Sequence, residues 1–342
     1  MIIKARSPFR LGLAGGGSDL SPYCDLYGGY VLNATIDHYA YAVIKTHIEP
    51  VIRFNAIDQQ IKEELPLEFP MLPNSRLDLH KAVYKYFIKN FNDGKPISLE
   101  LSTYSDVAAG SGVGSSSSLV VTIIKAFVEL LNLSLDNYSI ARIAYQIERV
   151  DCGLQGGRQD QFSAAFGAFN FMEFYADERV VINPLCIKNW IVSELETLTI
   201  LYFTGVSRES SNIIKQQIET IKSNNLEALE AMHTIKKEAL TMKECLLRGD
   251  FLSLVESLRS GWENKKRTAK KVSNAYIDKI YNAAIKSGAL AGKVSGAGGG
   301  GFMFFIVPLE KRTNVIRTLN RFGGLVSNCH FTKEGAQAWK MK

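Results

Sequence analysis

The sequence predicts an α+β protein of two domains, and three observations predict it. The chain has 342 residues, which is more than a single hydrophobic core usually organises. Stretches with strand-like alternation and stretches with helical spacing of apolar residues follow one another along it. Three glycine-rich stretches each lie at the end of a predicted strand. We therefore expect one domain over residues 1–190, a second over 191–342, and a cleft where their glycine-rich loops converge.

The composition is that of a folded protein with a small-molecule partner. Hydrophobic residues make up 46% of the chain and charged residues 22%, values that argue against an intrinsically disordered protein. The net charge is +6, and the lysines are spread along the chain instead of forming a block. This charge is compatible with an anionic small substrate and gives little support to nucleic acid, so we expect no nucleic-acid partner.

The cysteines and the apolar runs bear on location. Five cysteines without a C-x-x-C pair argue against a disulfide framework and against a zinc site. A reducing compartment fits them best, and the prediction is a cytoplasmic protein. The amino-terminal segment lacks the apolar core of a signal peptide, and no run approaches the roughly eighteen apolar residues of a spanning helix. We expect no membrane partner.

The elements of the first half follow from periodicity. Residues 2–14 predict a strand that runs into a glycine turn at Gly15, Gly16 and Gly17. Residues 29–48 are rich in Val, Ile, Tyr and Thr and predict two strands of an antiparallel pair. A helix is expected over 78–91, and the alternation in 97–102 predicts a strand.

That strand leads to residues 105–131, the stretch around which the chain is organised. Glycines at 110, 112 and 114 run into four serines at 115–118, and a helix with apolar spacing follows. Such a loop can bring backbone N–H groups and a helix dipole to an anion, which is what a phosphate site needs. The alternative is a flexible Gly/Ser linker, because no Walker motif is present. The apolar residues that follow the loop fall on one face of the predicted helix, so the loop is attached to a core helix, which favours the phosphate site. These residues are Leu119, Ile123, Phe127 and Leu130.

The remaining elements alternate in the same way. A helix is expected over 136–150, followed by a glycine turn that opens into a short helix within 151–167. Further segments are expected as strands at 168–174, 179–183 and 198–204, helices over 209–287, two strands around the glycine cluster at 296 and 298–301, a helix at 309–320 and a strand at 324–329.

Two carboxylates stand out as candidates for chemistry. Nucleotide phosphates normally need Mg²⁺, and the hydroxyls of Ser115 to Ser118 with Glu148 could supply its protein oxygens. Glu148 could equally be paired with Arg149 or Arg142. Asp160 in GGRQDQ could act as a general base toward an acceptor hydroxyl, or as a helix amino-terminal acid that stabilises the dipole. The residues alone leave both pairs of alternatives open.

Three segments together resemble the GHMP kinase superfamily, named for galactokinase, homoserine kinase, mevalonate kinase and phosphomevalonate kinase. SPFRLGLAGGGSD (7–19) aligns without a gap to the galactokinase-type first motif, GSGVGSSSS (110–118) resembles the phosphate-loop motif, and KVSGAGGGG (293–301) resembles the third. The resemblance covers nearly the whole chain. It implies an amino-terminal domain like ribosomal protein S5 domain 2, a ferredoxin-like carboxy-terminal domain, and ATP and Mg²⁺ as cofactors.

The resemblance also implies roles for single residues. Ser116 and Glu148 match the magnesium ligands, and Asp160 matches the catalytic aspartate of the sugar kinases. Arg10 matches the residue that stabilises the nucleophile and the transferring charge, and Asp19 matches a carboxylate that binds sugar hydroxyls. The nucleotide phosphates are expected on Gly110, Ser111, Gly112, Val113, Gly114, Ser115, Ser116 and Ser117.

Departures from the motifs narrow the implied substrate. Galactokinase has Glu-His where this chain has Gly16 and Gly17, which argues against galactose, and mevalonate-type enzymes have lysine near Arg10. The run AGGGSDLSPYCDLYGGYVLNATID (14–37) most resembles the bacterial D-glycero-D-manno-heptose 7-phosphate kinases and, less closely, fucokinase domains. Those enzymes phosphorylate an anomeric hydroxyl on the way to nucleotide-activated sugars for surface polysaccharides.

The expected activity is therefore that of a sugar 1-kinase that makes a heptose 1,7-bisphosphate. A substrate phosphate would need donors opposite the reacting end. The candidates for these donors are Arg158, Arg208 and the backbone of Gly15 to Ser18. The expected substrate contacts as a whole are Gly15, Gly16, Gly17, Ser18, Asp19, Arg158, Arg208, Gly298 and Gly299. Arg208 could instead lie at a solvated helix start. The alternatives are a fucose or N-acetylhexosamine kinase, a sugar-sensing regulator without the chemistry and, more weakly, a dinucleotide oxidoreductase. A homo-oligomer is compatible with the sequence, which does not report the oligomeric state.

Overall fold

A computed structural model describes residues 1–67, 77–206, 211–223 and 225–341. Within these ranges the chain forms twelve strands and eleven α-helices. The strands are β1 (Ile2–Ala14), β2 (Gly29–Thr46), β3 (Val51–Ala56), β4 (Ile61–Pro66), β5 (Leu99–Ser105), β6 (Phe169–Phe174), β7 (Val180–Pro184), β8 (Thr199–Phe203), β9 (Ala291–Val294), β10 (Phe302–Ile306), β11 (Leu325–Asn328) and β12 (Gln337–Met341). The helices are α1 (Tyr23–Tyr27), α2 (Asp78–Phe91), α3 (Ser115–Leu130), α4 (Asn137–Tyr145), α5 (Gln159–Phe166), α6 (Asn189–Leu198), α7 (Ser211–Lys222), α8 (Leu226–Arg248), α9 (Phe251–Thr268), α10 (Ala275–Ser287) and α11 (Arg312–Asn320).

The first sheet is built on β1 and β2, which pair antiparallel along almost their whole length. Its strands run in the order β12-β1-β2-β5-β3-β4, and β6 and β7 extend the amino-terminal half of β2. The pair β3 and β5 is parallel, whereas the other pairs are antiparallel. Helices α3 and α5 pack on β1 and β2. The strand that carries Arg10 is therefore held between two neighbours and a helix layer.

The prediction of two strands over 29–48 is wrong, because β2 is one strand of 18 residues. Its first part pairs with β6 and its last part with β5, while β1 pairs with both parts. The polar pair Asp37 and His38 marks a register shift against Pro8 and Phe9 instead of a turn. A bulge accommodates the extra residues without reversing the chain.

The second sheet has the order β11-β8-β10-β9 and is antiparallel throughout. Numbered within this unit the strands run 4-1-3-2, which is the order of a β-α-β-β-α-β ferredoxin-like unit. Four helices, α7 to α10, fill the first connection, as the apolar spacing over 209–287 predicts. The predicted ferredoxin-like carboxy-terminal fold is confirmed. The last strand, β12, pairs with β1 in the first sheet, and the boundary at residue 190 stays a prediction.

Most other expected elements are confirmed within a few residues, and the predicted helix over 78–91 coincides with α2. The helix expected over 136–150 consists of α4 followed by one π-helical turn, Gln146–Asp151. Helix α3 is buried on most sides, with Val120, Ile123 and Phe127 fully enclosed. Its first turn is therefore fixed by the core of the domain. None of the helices in the described ranges combines the length and apolar character that crossing a membrane requires.

Candidate active site

The glycine loops at 110–114 and 296–301 interlock, and together they join the two sheets. The backbone N–H of Phe302 donates to the carbonyl of Ser111 at 2.8 Å. A Cβ added to Gly301 would lie 2.2 Å from that same carbonyl oxygen, and one on Gly296 would lie 2.6 Å from the carbonyl oxygen of Gly112. Only glycine allows this approach. The alternative of a flexible linker does not describe the 110–114 loop, which is packed between two strands.

The same loop presents its backbone to a cleft. Gly110, Gly112 and Gly114 have φ values of 75°, 83° and 77°, while the residues between them keep negative φ. Alternation of right- and left-handed residues turns successive N–H groups to one side and makes an anion-binding nest. Gly114 is the N-cap of α3 and no side chain caps this helix end. The unpaired N–H groups of the first turn, at Ser115 and Ser116, therefore add to the nest.

Not every residue of the predicted phosphate loop lines the cleft. Gly110, Gly112, Gly114, Ser115 and Ser116 do. The other three are buried beneath them and hold the loop in place: Ser111 through its carbonyl to Phe302, Val113 through its carbonyl to the N–H of Arg10, and Ser117 through its hydroxyl to Glu148.

Arg10 and Asp160 form a buried ion pair at the mouth of the nest. Arg10 donates from Nε to Oδ1 of Asp160 at 2.8 Å, and its Nη2 lies 2.7 Å from the same oxygen. Its Nη1 donates to the carbonyl of Gly112 at 2.8 Å and to Oγ of Ser295 at 3.3 Å. Arg10 is 4% exposed, and the Asp160 side chain keeps 21% of its surface open. The guanidinium thus ties the carboxylate to both glycine loops.

Asp160 lies where both of its sequence interpretations require it. It lies in the first turn of α5, where a carboxylate stabilises the helix dipole. It also faces the cleft, since a Cβ on Gly114 would lie 3.2 Å from its Cγ. A carboxylate with an open face beside an anion nest can accept a proton from a hydroxyl placed there.

Glu148 is fully buried in the π-helical turn behind the nest. Its Oε1 accepts from the Ser116 hydroxyl at 2.6 Å and lies 3.2 Å from Nη1 of Arg149. Its Oε2 accepts from the Ser117 hydroxyl and from Nε2 of Gln161, each at 2.6 Å. Glu148 is thus paired with Arg149, one of the two arginines that the sequence offered, and it also adjoins the serine cluster, so its role as a magnesium ligand stays a prediction.

Ser116 and Glu148 fit a Mg²⁺ ion that takes only two of its ligands from the protein. One hydroxyl and one carboxylate are the two protein oxygens that this ion commonly takes, and phosphate and water complete its octahedron. The described residues contain no group of three or more His, Cys, Asp or Glu side chains that could hold a metal alone. The residues therefore fit an ion that arrives with a polyphosphate.

Asp19 is a second carboxylate of the cleft, and amide groups hold it in place. Its Oδ1 accepts from the N–H of Gly17 and from Nε2 of Gln159, each at 3.0 Å, and its Oδ2 accepts from the N–H of Gln159 at 3.2 Å. Gly157 has to be glycine, because a Cβ there would lie 1.9 Å from Oδ2 of Asp19. Asp19, Gly16 and Gly17 all line the cleft.

Other predicted substrate residues serve the framework. The Ser18 hydroxyl donates to the carbonyls of Gly15 and Tyr30, each at 2.8 Å, and a Cβ on Gly15 would lie 1.9 Å from the Tyr30 oxygen. Gly15 and Ser18 thus build the turn that positions Gly16 and Gly17. Gly298 and Gly299 pack against Val272, and the residues of this loop that line the cleft are Gly296 and Ala297 instead.

Of the two predicted arginines, the one that the structure describes, Arg158, does not line the cleft. Arg158 donates to the carbonyl of Tyr175 at 3.2 Å, lies 3.8 Å from Asp25, and stacks over the ring of Tyr145. Its position outside the cleft follows from these contacts. Arg208 lies outside the described residues.

Sequence reasoning missed several cleft residues, chiefly Lys265, Lys293, Gln159 and Gln217. Lys265 donates to the carbonyl of Gly16 at 2.5 Å. Burial, together with the smaller effect of the neighbouring charges of Lys265 and Arg10, lowers the pKa of Lys293 to about 7. Lys293 directly precedes the third glycine motif, which is a usable signal. Lys265 gives no such signal, because two consecutive lysines, here Lys265 and Lys266, are typical of the solvent-exposed end of a helix.

Comparisons with known proteins show which family the chain resembles in sequence and in fold. The sequence profile described as "GHMP kinases N terminal domain" matches residues 78–168, and the one described as "GHMP kinases C terminal" matches residues 242–325. A relative from Campylobacter jejuni, named D-glycero-alpha-D-manno-heptose 7-phosphate kinase, is 48% identical over 339 residues, which cover 99% of each chain.

Solved structures extend the similarity to three dimensions. A structure described as a D-glycero-D-manno-heptose 1-phosphate kinase from Bacteroides thetaiotaomicron has a TM-score of 0.85 and 42% identity, with 99% of each chain covered. Galactokinase from Lactococcus lactis, complexed with galactose, has a TM-score of 0.77 at 17% identity and covers 98% of this chain and 95% of its own. At that identity the likeness shows a shared fold.

Proposed function

Because the chain belongs to the GHMP kinase family, we propose that it transfers the γ-phosphoryl group of ATP to the anomeric hydroxyl of D-glycero-D-manno-heptose 7-phosphate. The product would be the 1,7-bisphosphate, a sugar 1-phosphate of the kind from which nucleotide-activated sugars are made. The observation that carries this proposal is the Arg10–Asp160 ion pair at the mouth of the glycine nest, with Asp19 beyond it. The family alone makes the chain a phosphotransferase with an alcohol group as acceptor.

The phosphate donor binds at the 110–116 nest. Its backbone N–H groups and the uncapped first turn of α3 offer donors and a positive dipole end to a polyphosphate. Ser116 and Glu148 would hold Mg²⁺, which neutralises charge on the phosphate oxygens when it is bound. The hydroxyl of Ser116 now donates to Glu148, so it has to turn its lone pair toward the ion.

The acceptor hydroxyl binds at Asp160. This carboxylate takes the hydroxyl proton as the oxygen attacks, a contribution of about 10²- to 10⁴-fold in rate. Arg10 holds Oδ1 of Asp160 and fixes the orientation of the carboxylate beside the nest. Its guanidinium also offers a fixed positive charge to the phosphoryl group in flight. Positioning and electrostatics supply most of the acceleration, as is usual for phosphoryl transfer.

The substrate proposal rests on the relatives and on the Gly16–Gly17 segment. Two relatives with more than 40% identity are named as kinases of a D-glycero-D-manno-heptose phosphate, although the names place the phosphate on carbon 7 in one and carbon 1 in the other. Phosphorylation of the anomeric hydroxyl requires that carbon 1 be free, which favours the 7-phosphate as substrate. Glycines at 16 and 17 leave space in the cleft beyond Asp19 for the longer tail of a heptose.

The test is an ADP-release assay over a panel of sugars and sugar phosphates. We expect heptose 7-phosphate to give the highest kcat/KM, with NMR locating the new phosphate on carbon 1. Higher turnover of fucose or of an N-acetylhexosamine would identify another sugar 1-kinase. Binding of sugars without ADP release from any of them would identify a non-catalytic sugar sensor.

A further inference from the structure

One end of the cleft, at Gly16 and Gly17, is built from residues that the mechanism above does not use. Lys265 on α9 and Gln217 on α7 line this end. Both are buried, with 5% and 2% of their surface exposed. A buried ammonium group is rare in proteins unless it is paired with a counter-charge or serves a ligand. The contacts of these two side chains therefore carry information about what binds there.

Lys265 is placed by a short contact and by a glycine. Its Nζ donates to the carbonyl of Gly16 at 2.5 Å. A Cβ added to Gly17 would lie 2.8 Å from this Nζ and 3.9 Å from Nε2 of Gln217. Gly17 also has a φ of 105°, which other residues rarely adopt. The missing side chain at position 17 therefore keeps open the space next to the ammonium and the amide.

A hydrogen-bond chain fixes Gln217 and Lys265 relative to each other. Nε2 of Gln217 donates to the hydroxyl of Thr268 at 2.8 Å, and this hydroxyl donates to the carbonyl of Lys265 at 2.8 Å. The chain links α7 to α9 through side chains that are all nearly inaccessible to water. The chain fixes the amide of Gln217 to α9, and the contact with Gly16 holds the ammonium, so both groups are preorganised and a ligand loses less entropy on binding.

The charges at this end favour an anion. Lys293 is close enough to Lys265 and Arg10 for their charges to lower its pKa, in addition to the larger effect of burial. Three cationic side chains thus concentrate positive charge in a desolvated cleft. The carboxylate of Asp160 pairs with Arg10, and that of Asp19 is held by amide groups. A dianionic ligand group would be attracted to the positive charge that Lys265 and Lys293 bring to this end.

The Lys265 end of the cleft lies where the sugar carbon farthest from the anomeric hydroxyl would be. Gln159 precedes Asp160 in the chain, and it donates to Asp19, which also accepts from Gly17. Asp160, Asp19 and Lys265 therefore follow one another along the cleft. A sugar with its anomeric hydroxyl at Asp160 would place ring hydroxyls at Asp19 and its last carbon at Lys265.

We propose that Lys265, oriented with Gln217 beside Gly17, binds the distal phosphate of the sugar and thereby selects a phosphorylated substrate. This proposal rests on the proposed function. It differs from the sequence expectation, which assigned that phosphate to arginines and to the backbone of the first glycine turn. The competing explanation is that Lys265 only pins the carbonyl of Gly16.

The experiment compares heptose 7-phosphate with unphosphorylated D-glycero-D-manno-heptose in wild type and Lys265→Met. Loss of a charge-assisted contact predicts a fall of about 10- to 100-fold in kcat/KM for the 7-phosphate, mainly through KM. The unphosphorylated sugar should change by less than about threefold, because it never makes the contact. Lys265→Arg, which keeps the charge, should retain a preference for the phosphate.

Lys266→Met is the matched control, since this neighbouring lysine contacts Glu263 and Trp262 outside the cleft and should leave both substrates unaffected. Thermal denaturation reports that each variant is folded. An equal loss on both sugars, or an unchanged preference for the 7-phosphate in Lys265→Met, overturns the subsite. If wild type turns over neither sugar, the proposed function fails. Calorimetric binding of heptose 7-phosphate without ATP then decides the subsite: weaker binding to Lys265→Met than to Lys266→Met supports it, and equal or absent binding overturns it.

Discussion

The guanidinium of Arg10 donates from Nε and from Nη2 to a single oxygen of Asp160, at 2.8 and 2.7 Å. Both contacts end on Oδ1, while Oδ2 lies 3.5 Å from the position that a Cβ on Gly114 would take. The second oxygen is thus on the side of the phosphate nest. Oδ1 is therefore held by the framework, and in the mechanism that we propose Oδ2 is the oxygen that accepts the proton of the acceptor hydroxyl.

Replacing Arg10 by lysine should therefore cost turnover more than binding. A single ammonium cannot hold Oδ1 through a planar fork and reach the carbonyl of Gly112 at the same time. We expect kcat to fall by about 10²- to 10³-fold while KM for the sugar changes little. Steady-state kinetics measure this, with Arg6→Lys as control. Arg6 lies on the same strand as Arg10 but away from the cleft, and two of its nitrogens likewise donate to one oxygen, that of Gln337. A loss confined to KM would contradict the assignment.

Glu148→Gln should change the metal requirement. The substitution keeps the shape of the side chain but removes the charge that Ser116 and Mg²⁺ would share. We expect the Mg²⁺ concentration for half-maximal activity to rise by about tenfold or more, with KM for the sugar nearly constant. Titration of activity with Mg²⁺ tests this, and the exposed Glu194→Gln provides the control. An unchanged Mg²⁺ dependence would exclude Glu148 as a ligand.

The interlocked glycine loops predict a difference between two glycines with the same backbone conformation. Gly301 and Gly323 have φ values of 81° and 76°, so alanine strains both by about 1 kcal/mol. Only at Gly301 would the new Cβ lie 2.2 Å from a carbonyl oxygen, whereas at Gly323 it would meet no atom within 4 Å. Gly301→Ala should thus lower the free energy of unfolding by at least about 2 kcal/mol more than Gly323→Ala. Urea denaturation measures both, and equal effects would contradict the interlock.

His80 predicts a loss of stability in acid. Burial lowers its pKa to about 4, and its Nε2 lies 2.8 Å from the hydroxyl of Thr103. Between about pH 6.5 and 4 the unfolded chain binds a proton that the folded chain excludes, so the free energy of unfolding falls as the pH falls. The slope from this group is at most about 1.4 kcal/mol per pH unit. His80→Gln should flatten the curve of stability against pH in this window, and an unchanged slope would show that other groups cause it.

Local patterns predicted more of this fold than of its cleft. The spacing of apolar residues located α2 and α3, and the glycines located three loops, because each of these signals lies within a few neighbouring residues. The sequence predicted two strands over 29–48, whereas the long ladder with β1 absorbs Asp37 and His38 as a bulge within one strand. Such ladders depend on distant partners and leave no local trace.

The same reason explains which site residues the sequence could indicate. Arg10, Ser116, Glu148 and Asp160 lie in motifs whose family pattern is specific, and the structure brings them together. Lys265 reaches the cleft only because α9 is rotated to place it under Gly16, a contact between residues 249 positions apart. Arg158, which follows two glycines, looked like a phosphate ligand but is engaged by Asp25 and Tyr175.

The central claim is that the carboxylate of Asp160 takes the proton of a sugar hydroxyl beside the phosphate nest. It is tested most directly by single-turnover phosphorylation of heptose 7-phosphate with Asp160→Asn, alongside calorimetric binding of ATP. We predict that the rate of the chemical step falls by about 10²- to 10⁴-fold while ATP binds as in wild type, and that the exposed Asp177→Asn changes neither. A chemical step in Asp160→Asn that stays within a fewfold of wild type would contradict the account.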